Sequence, residues 1–154
     1  MPYLRVLFVA VGLALVVAAP TATGASSAHF TFDLLKFTPT GYVDNVPRNG
    51  IARPSPGDVL TATSTIYDSA GKHRLGRTSE VCTVTVAAPM TMDCSFALIF
   101  ANGSELLVHG AFNPTETPWR APIVGGYGQY AGARGWVRET SLKRGERMTG
   151  VLIG

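Results

Sequence analysis

Little of this sequence is charged. Of 154 residues, 13 are Lys or Arg and 10 are Asp or Glu, only 15% together. The basic residues are scattered, at Lys36, Arg48, Arg53, Lys72, Arg74, Arg77, Arg120, Arg134 and Arg138, and only Lys143, Arg144 and Arg147 bunch. Nucleic acid needs a denser basic face, so it is not an expected partner. The three histidines, His29, His73 and His109, form no H-x-H or H-E-x-x-H arrangement. That spacing offers no metal site, and none is expected. There is also no G-x-S-x-G elbow for a nucleophilic serine. Helix signals are nearly absent after residue 28, which removes the folds that need them.

Long apolar runs are absent too, with one exception. Residues 6–19 are apolar, follow the single basic residue Arg5, and end at Pro20, after which small residues continue to Ala28. That order is the pattern of a secretory signal peptide, with cleavage around residues 22–28. The run is shorter than the roughly 20 residues a spanning helix needs. We therefore expect residues 1–28 to be a signal peptide and residues 29–154 one secreted domain. No stable membrane insertion is expected after cleavage. Without Arg5 the balance of charge is 12 − 10 = +2.

What the mature sequence does contain is Thr, Val, Tyr and Phe, interrupted every 8–12 residues by Gly, Pro or Asn. This is the pattern of an all-β sandwich or barrel. HFTFDLLKF opens as a strand, and residues 38–57, with four prolines and three glycines, read as a long loop or lid. GDVLTATSTIYD alternates, with Leu60, Ala62 and Ile66 on one face and Thr61, Thr63 and Thr65 on the other. Further strands follow in LGRTSEVCTVTVA, TMDCSFALIF, ELLVHGAF, WRAPIV, ARGWVRETSL and RMTGVLIG. Short connections favour antiparallel neighbours, and closure would remove exposed edges. The expected fold is an eight-stranded antiparallel β-barrel of the up-and-down kind.

The AAPM turn fixes a register. Centred on Ala88, it sets Cys82 opposite Cys94, Glu80 opposite Phe96 and Thr78 opposite Leu98. Directly opposed residues approach disulfide distance, and an exported protein permits the bond. Asn102-Gly103-Ser104 is formally a glycosylation sequon, but Asn-Gly is also a strong hairpin signal, and the turn is the preferred reading. Asp68 in IYDSAG reads as a turn-capping side chain.

The stretch IVGGYGQYAGARG, residues 123–135, suggests a phosphate cradle at first sight. The third glycine of G-x-G-x-x-G is missing, no helix follows, and no P-loop lysine is present, so its glycines read as backbone geometry. Asp58, Tyr67, Asp68, Glu80, Arg134, Arg138 and Glu139 are the polar residues in or beside strands. Arg134, Trp136 and Arg138 share one face of their strand. Two readings of Arg134 stand equal: aimed into the barrel toward an anionic or carbonyl-bearing ligand, or outward and solvated or paired with Glu80 or Asp68; for Arg138 the second reading is preferred. His109 sits mid-strand, where an interior histidine is the default.

Three motifs, IYD (66–68), SELLVHG (104–110) and VGGYGQYAGARG (124–135), resemble the dirigent and allene oxide cyclase-type barrels, over roughly residues 57–140. The cysteines and compact hairpins look more like bacterial members of that superfamily. The resemblance implies an eight-stranded barrel, often a homotrimer, around an apolar cavity. It implies binding of a hydrophobic small molecule and stereoselective guidance of its cyclisation or coupling, with no cofactor. Arg134 matches the arginine of the A-R-G motif, which lines the cavity in plant dirigents. Asp44 would stand for their N-terminal cavity aspartate. These two are the catalytic candidates, with Tyr67, His109 and Tyr127 beside Arg134 as ligand contacts. Gln129 replaces a carboxylate common in plant sequences, and Tyr127 replaces a threonine. Beside this reading stand a non-catalytic, lipocalin-like carrier and a structural barrel filled by its own side chains.

Overall fold

The computed structural model describes residues 27–44 and 54–153. Eight strands make up most of them: β1 (Ser27–Val43), β2 (Val59–Asp68), β3 (Arg74–Ala87), β4 (Met90–Phe100), β5 (Glu105–Phe112), β6 (Trp119–Tyr127), β7 (Arg134–Leu142) and β8 (Gly145–Ile153). Each runs antiparallel to its neighbours in sequence, and β1 closes on β8. The fold is the eight-stranded up-and-down barrel that the pattern of strands and turns requires.

Alternation decides what enters the barrel. In β2, Ala62, Ser64 and Ile66 are buried, while the threonines between them face outward. The β3–β4 hairpin has the register read from AAPM: Cys82 faces Cys94, Glu80 faces Phe96 and Thr78 faces Leu98. Cys82 and Cys94 form a disulfide across it, with Cα atoms 4.1 Å apart. An irregularity between Val84 and Val86 moves the last two pairs by one residue, so that Ala87 faces Met90. In the β4–β5 turn the Asn102 Oδ1 accepts a hydrogen bond from the Ser104 amide at 3.0 Å, which holds the hairpin.

The long loop expected over residues 38–57 needs correction. Its first part is strand, because β1 continues to Val43 opposite β2. Irregularities between Leu35 and Thr38, and between Pro39 and Gly41, let the prolyl residue sit in a paired strand. Residues 45–53 of that stretch lie outside the described residues, as does the leader through residue 26. The glycine segment also differs from a simple turn. β6 runs through Gly125 and Gly126 to Tyr127, and a 3-10 turn over Gly128–Tyr130 makes the connection.

An up-and-down barrel sends alternate connections to opposite ends. The β2–β3, β4–β5 and β6–β7 connections share one end, which is plugged by aromatic rings. Phe30 stacks on Phe32 at 5.3 Å, Phe32 meets Phe100 edge-on at 6.2 Å, and Phe100 meets Tyr130 at 5.2 Å. Tyr130 reaches this plug because Gly126 and Gly128 let the chain turn tightly. A Cβ on Gly126 would press on the carbonyls of Tyr130 and Glu105, and Gly128 has φ near +63°. Ile66, Leu98, Leu106, Val108, Val137 and Met148 are fully buried in the adjoining core. Each such side chain contributes roughly 1.5–3 kcal/mol.

Candidate functional site

The opposite end of the barrel is not filled. A cavity of about 280 Å³ lies there, at the low end of the usual size for small-molecule sites. Its walls are mostly apolar, with Leu34 from β1, Leu60 and Ala62 from β2, Met90, Met92 and Phe96 from β4, and Phe112 from β5. Ser64 and Thr78 also line it, and the Thr78 hydroxyl oxygen accepts the Ser64 amide at 2.7 Å.

Three carboxyl groups interrupt this apolar lining: Glu80 from β3, Glu139 from β7 and Glu146 from β8. Alternation puts them there. Glu80 shares its face with Thr78 and Cys82, Glu139 with Val137, and Glu146 with Met148, all of which are buried. Glu139 is only 8% exposed, and its carboxyl accepts no hydrogen bond from any described residue. No lysine, arginine or histidine lines the cavity among the described residues. A smaller recess of about 60 Å³ shares Glu139 and Glu146 and adds Glu116, whose Oε1 accepts from Asn113 Nδ2 at 3.2 Å.

The electrostatic consequence is direct. Burial pushes the Glu139 carboxyl up to about 8, and the charges of Glu146 and Glu80 add to the effect. Burial likewise pushes Glu80 up to about 7, with Glu146 adding. Glu146 is raised by burial as well. A neutral carboxyl is a hydrogen-bond donor, so at neutral pH the cavity wall presents a proton on Glu139 rather than a charge. The three carboxyl groups do not all lie within 4.8 Å of one another, so they make no metal cradle. Glu80 does lie that close to Cys82 and Cys94, but those sulfurs are spent on the disulfide.

The residues singled out in the sequence lie elsewhere. Arg134 begins β7 at the plugged end, about 17 Å along the strand from Glu139 at the usual rise per residue. It is exposed, and its Nη1 donates to the carbonyls of Ala133 at 3.0 Å and Val124 at 3.3 Å. Of its two readings the outward one holds, because the alternation that buries Val137 and Glu139 turns Arg134, Trp136 and Arg138 out. Tyr127, at the end of β6, is 69% exposed. Tyr67 faces outward on β2 with the Lys36 ammonium 5.9 Å from its ring centre.

The interior position expected for His109 is corrected. Leu106 and Val108 take the inward places of β5, which leaves His109 on the outer wall. There its Nδ1 lies 3.0 Å from Ser95 Oγ and its Nε2 lies 3.3 Å from Asp93. Ser95 and His109 face each other in the β4–β5 ladder, so the described backbone beside this Ser-His-Asp line is paired rather than free to serve as an oxyanion donor. Asp44 follows β1 and is half-buried near Tyr42. The Tyr42 hydroxyl is held up to about 12 chiefly by its 2.5 Å hydrogen bond to Asp58, with a smaller effect from the Asp44 charge. Arg134, Asp44, Tyr67, His109 and Tyr127 therefore do not converge, and none lines the cavity.

Glu80 and Glu139 stood among the polar strand residues, while Glu146 carried no motif. The signal that finds all three is parity: each is separated by an even number of positions from a core residue of its own strand.

No family profile and no curated protein matches the sequence. Solved structures do share its fold. A pyocyanin demethylase superposes with a TM-score of 0.63 at 16% identity, covering 81% of this chain and 99% of its own. The pterocarpan synthase dirigent protein GePTS1 superposes with a TM-score of 0.61 at 17% identity, covering 86% of each chain. The Diels Alderase AbmU from Streptomyces koyangensis gives a TM-score of 0.57 at 22% identity, covering 82% of this chain and 63% of its own. At these identities the likeness is one of architecture: the closed barrel of this chain superposes on these structures, a dirigent protein among them.

Proposed function

We propose that this protein is a secreted dirigent-like barrel that binds a hydrophobic small molecule in its open-end cavity and guides that molecule's stereoselective cyclisation or coupling. The observation that carries the reading is the apolar cavity with Glu139 buried in its wall and unpartnered. Apolar walls fix one conformer of a flexible substrate and exclude water, which is what a reactive intermediate needs most. Glu139 supplies the polar contact. Protonated at neutral pH, it donates to an oxygen or accepts a developing positive charge once ionised. No cofactor is required by that chemistry.

Three further observations support the proposal. The structural neighbours are named as a demethylase, a pterocarpan synthase and a Diels Alderase, all of which act on small organic molecules. The apolar leader and the Cys82–Cys94 bond favour an exported, oxidising location. Exposed Val81, Leu107 and Val124 line one outer groove that a second copy would cover in a homotrimer.

The test is release of bound compound. Mass spectrometry of small molecules extracted from the purified protein is expected to find a discrete apolar compound. It should be missing from the Ala62→Trp variant, whose indole occupies the cavity. The reading fails if the folded variant carries the same compound. A carrier and a guide then separate by whether product stereochemistry changes when the protein is added.

A further inference from the structure

The cavity carboxyls have no partner of opposite sign among the described residues. β1, β2, β4 and β5 bring only apolar, hydroxyl or thioether groups to the lining. The basic groups on the glutamates' own strands face away. Arg147 on β8 is paired through Nε and Nη2 with Asp33, at 2.7 and 3.0 Å, and its Nη2 also donates to the Ser69 carbonyl. Arg138 on β7 and Arg77 on β3 alternate to the outer wall. Glu116 in the adjoining recess adds a fourth acid.

Resting on the cavity reading above, we propose that the ligand is a hydrophobic organic cation, an amine or quaternary ammonium whose charge lies among Glu80, Glu139 and Glu146 and whose apolar body packs on Met92, Phe96 and Phe112. An anion would meet three carboxyl groups and no basic group among the described lining residues. A neutral molecule could take a hydrogen bond from protonated Glu139 but would gain nothing from a cluster of three carboxyls. A metal ion needs ligands that converge, and these do not. An organic cation is wide enough to touch separated carboxylates, and aromatic side chains add cation–π attraction. Because burial favours the protonated form of each of these carboxyls and a bound cation favours the ionised form, binding a cation expels protons, and affinity rises with pH.

Three probes with one aromatic body test this on the full chain: (1-naphthylmethyl)trimethylammonium, 1-naphthylmethanol and 1-naphthylacetate. Isothermal titration calorimetry at pH 8 is expected to show the cation binding at least about tenfold tighter than the alcohol, with no binding of the acetate. The cation's affinity should rise from pH 6 to pH 8, and buffers of different ionisation enthalpy should reveal proton release. Glu139→Gln should weaken the cation about tenfold or more and change the alcohol much less. If that variant does not fold, Glu80→Gln provides the same comparison. Alcohol binding as tight as cation binding, or glutamine variants that bind the cation unchanged, overturns the inference while the cavity reading stands. Binding of none of the three probes overturns both.

Discussion

An ionised Glu139 in an apolar cavity wall works against the folded state, and Glu139→Gln measures by how much. Folding raises this carboxyl from 4.5 to about 8, first through burial and then through the charges of Glu146 and Glu80. Between those values the folded protein keeps a proton that the unfolded chain has released. Stability is therefore full below about pH 4.5 and is lost as the pH rises through about 8. At about 1.4 kcal/mol per pH unit for one proton, the ionised form costs the fold up to about 5 kcal/mol. Glu80, raised to about 7, follows the same sign with a ceiling of about 3 kcal/mol. The two share one field, so the ceilings do not add. Glutamine keeps the shape and cannot ionise. In urea denaturation from pH 5 to pH 9, the wild type should lose stability steadily. Glu139→Gln should match it within about 1 kcal/mol at pH 5 and exceed it by about 2 kcal/mol or more at pH 9. A wild type with flat stability over this range would refute the reasoning. So would a variant with the wild-type slope.

Reducing the Cys82–Cys94 bond, which spans 12 residues of sequence, should cost about 3 kcal/mol on a loop-closure basis, read as a lower urea midpoint with reductant. At the plugged end, Phe32→Ala removes a side chain only 4% exposed and should cost roughly 3–5 kcal/mol by thermal or urea unfolding. Asp68 is held down to about 2, first by the Lys72 amide and then by the His73 side chain, so its contribution is present above 3.8 and lost as the pH falls through about 2. Asp68→Asn should flatten the acid limb of the stability profile. Arg134→Ala, at the plugged end, should change stability by no more than about 0.5 kcal/mol and leave binding in the cavity unaltered, as calorimetry with the naphthyl cation would show.

The fold was legible because its signals are local and periodic. Alternation in GDVLTATSTIYD fixed which face of β2 is buried, and the AAPM turn fixed a register that put Cys82 against Cys94. Residues 38–43 were misleading for a physical reason: Pro39 and Gly41 are read as breakers, yet irregular pairing absorbs them inside β1. The site was harder to read. Arg134 sits in the most recognisable motif, but that motif builds the aromatic plug, and strand parity turns the arginine outward. Glu139 and Glu146 sit on the β7–β8 hairpin, and Glu80 of β3 shares their cavity only because the barrel closes β8 on β1. No spacing within the sequence marks a constellation made by closure. Parity marks each glutamate as inward, one strand at a time, and that was the available clue.

The central claim is that ligand enters the open-end cavity, and methionine methyl NMR tests it most directly. Met90 and Met92 line that cavity, whereas Met148 is buried in the core and does not line it. Titration with the naphthyl cation should move the Met90 and Met92 methyl resonances to saturation and leave Met148 nearly still. Binding that saturates by calorimetry while Met90 and Met92 do not move would place the ligand elsewhere and contradict the account.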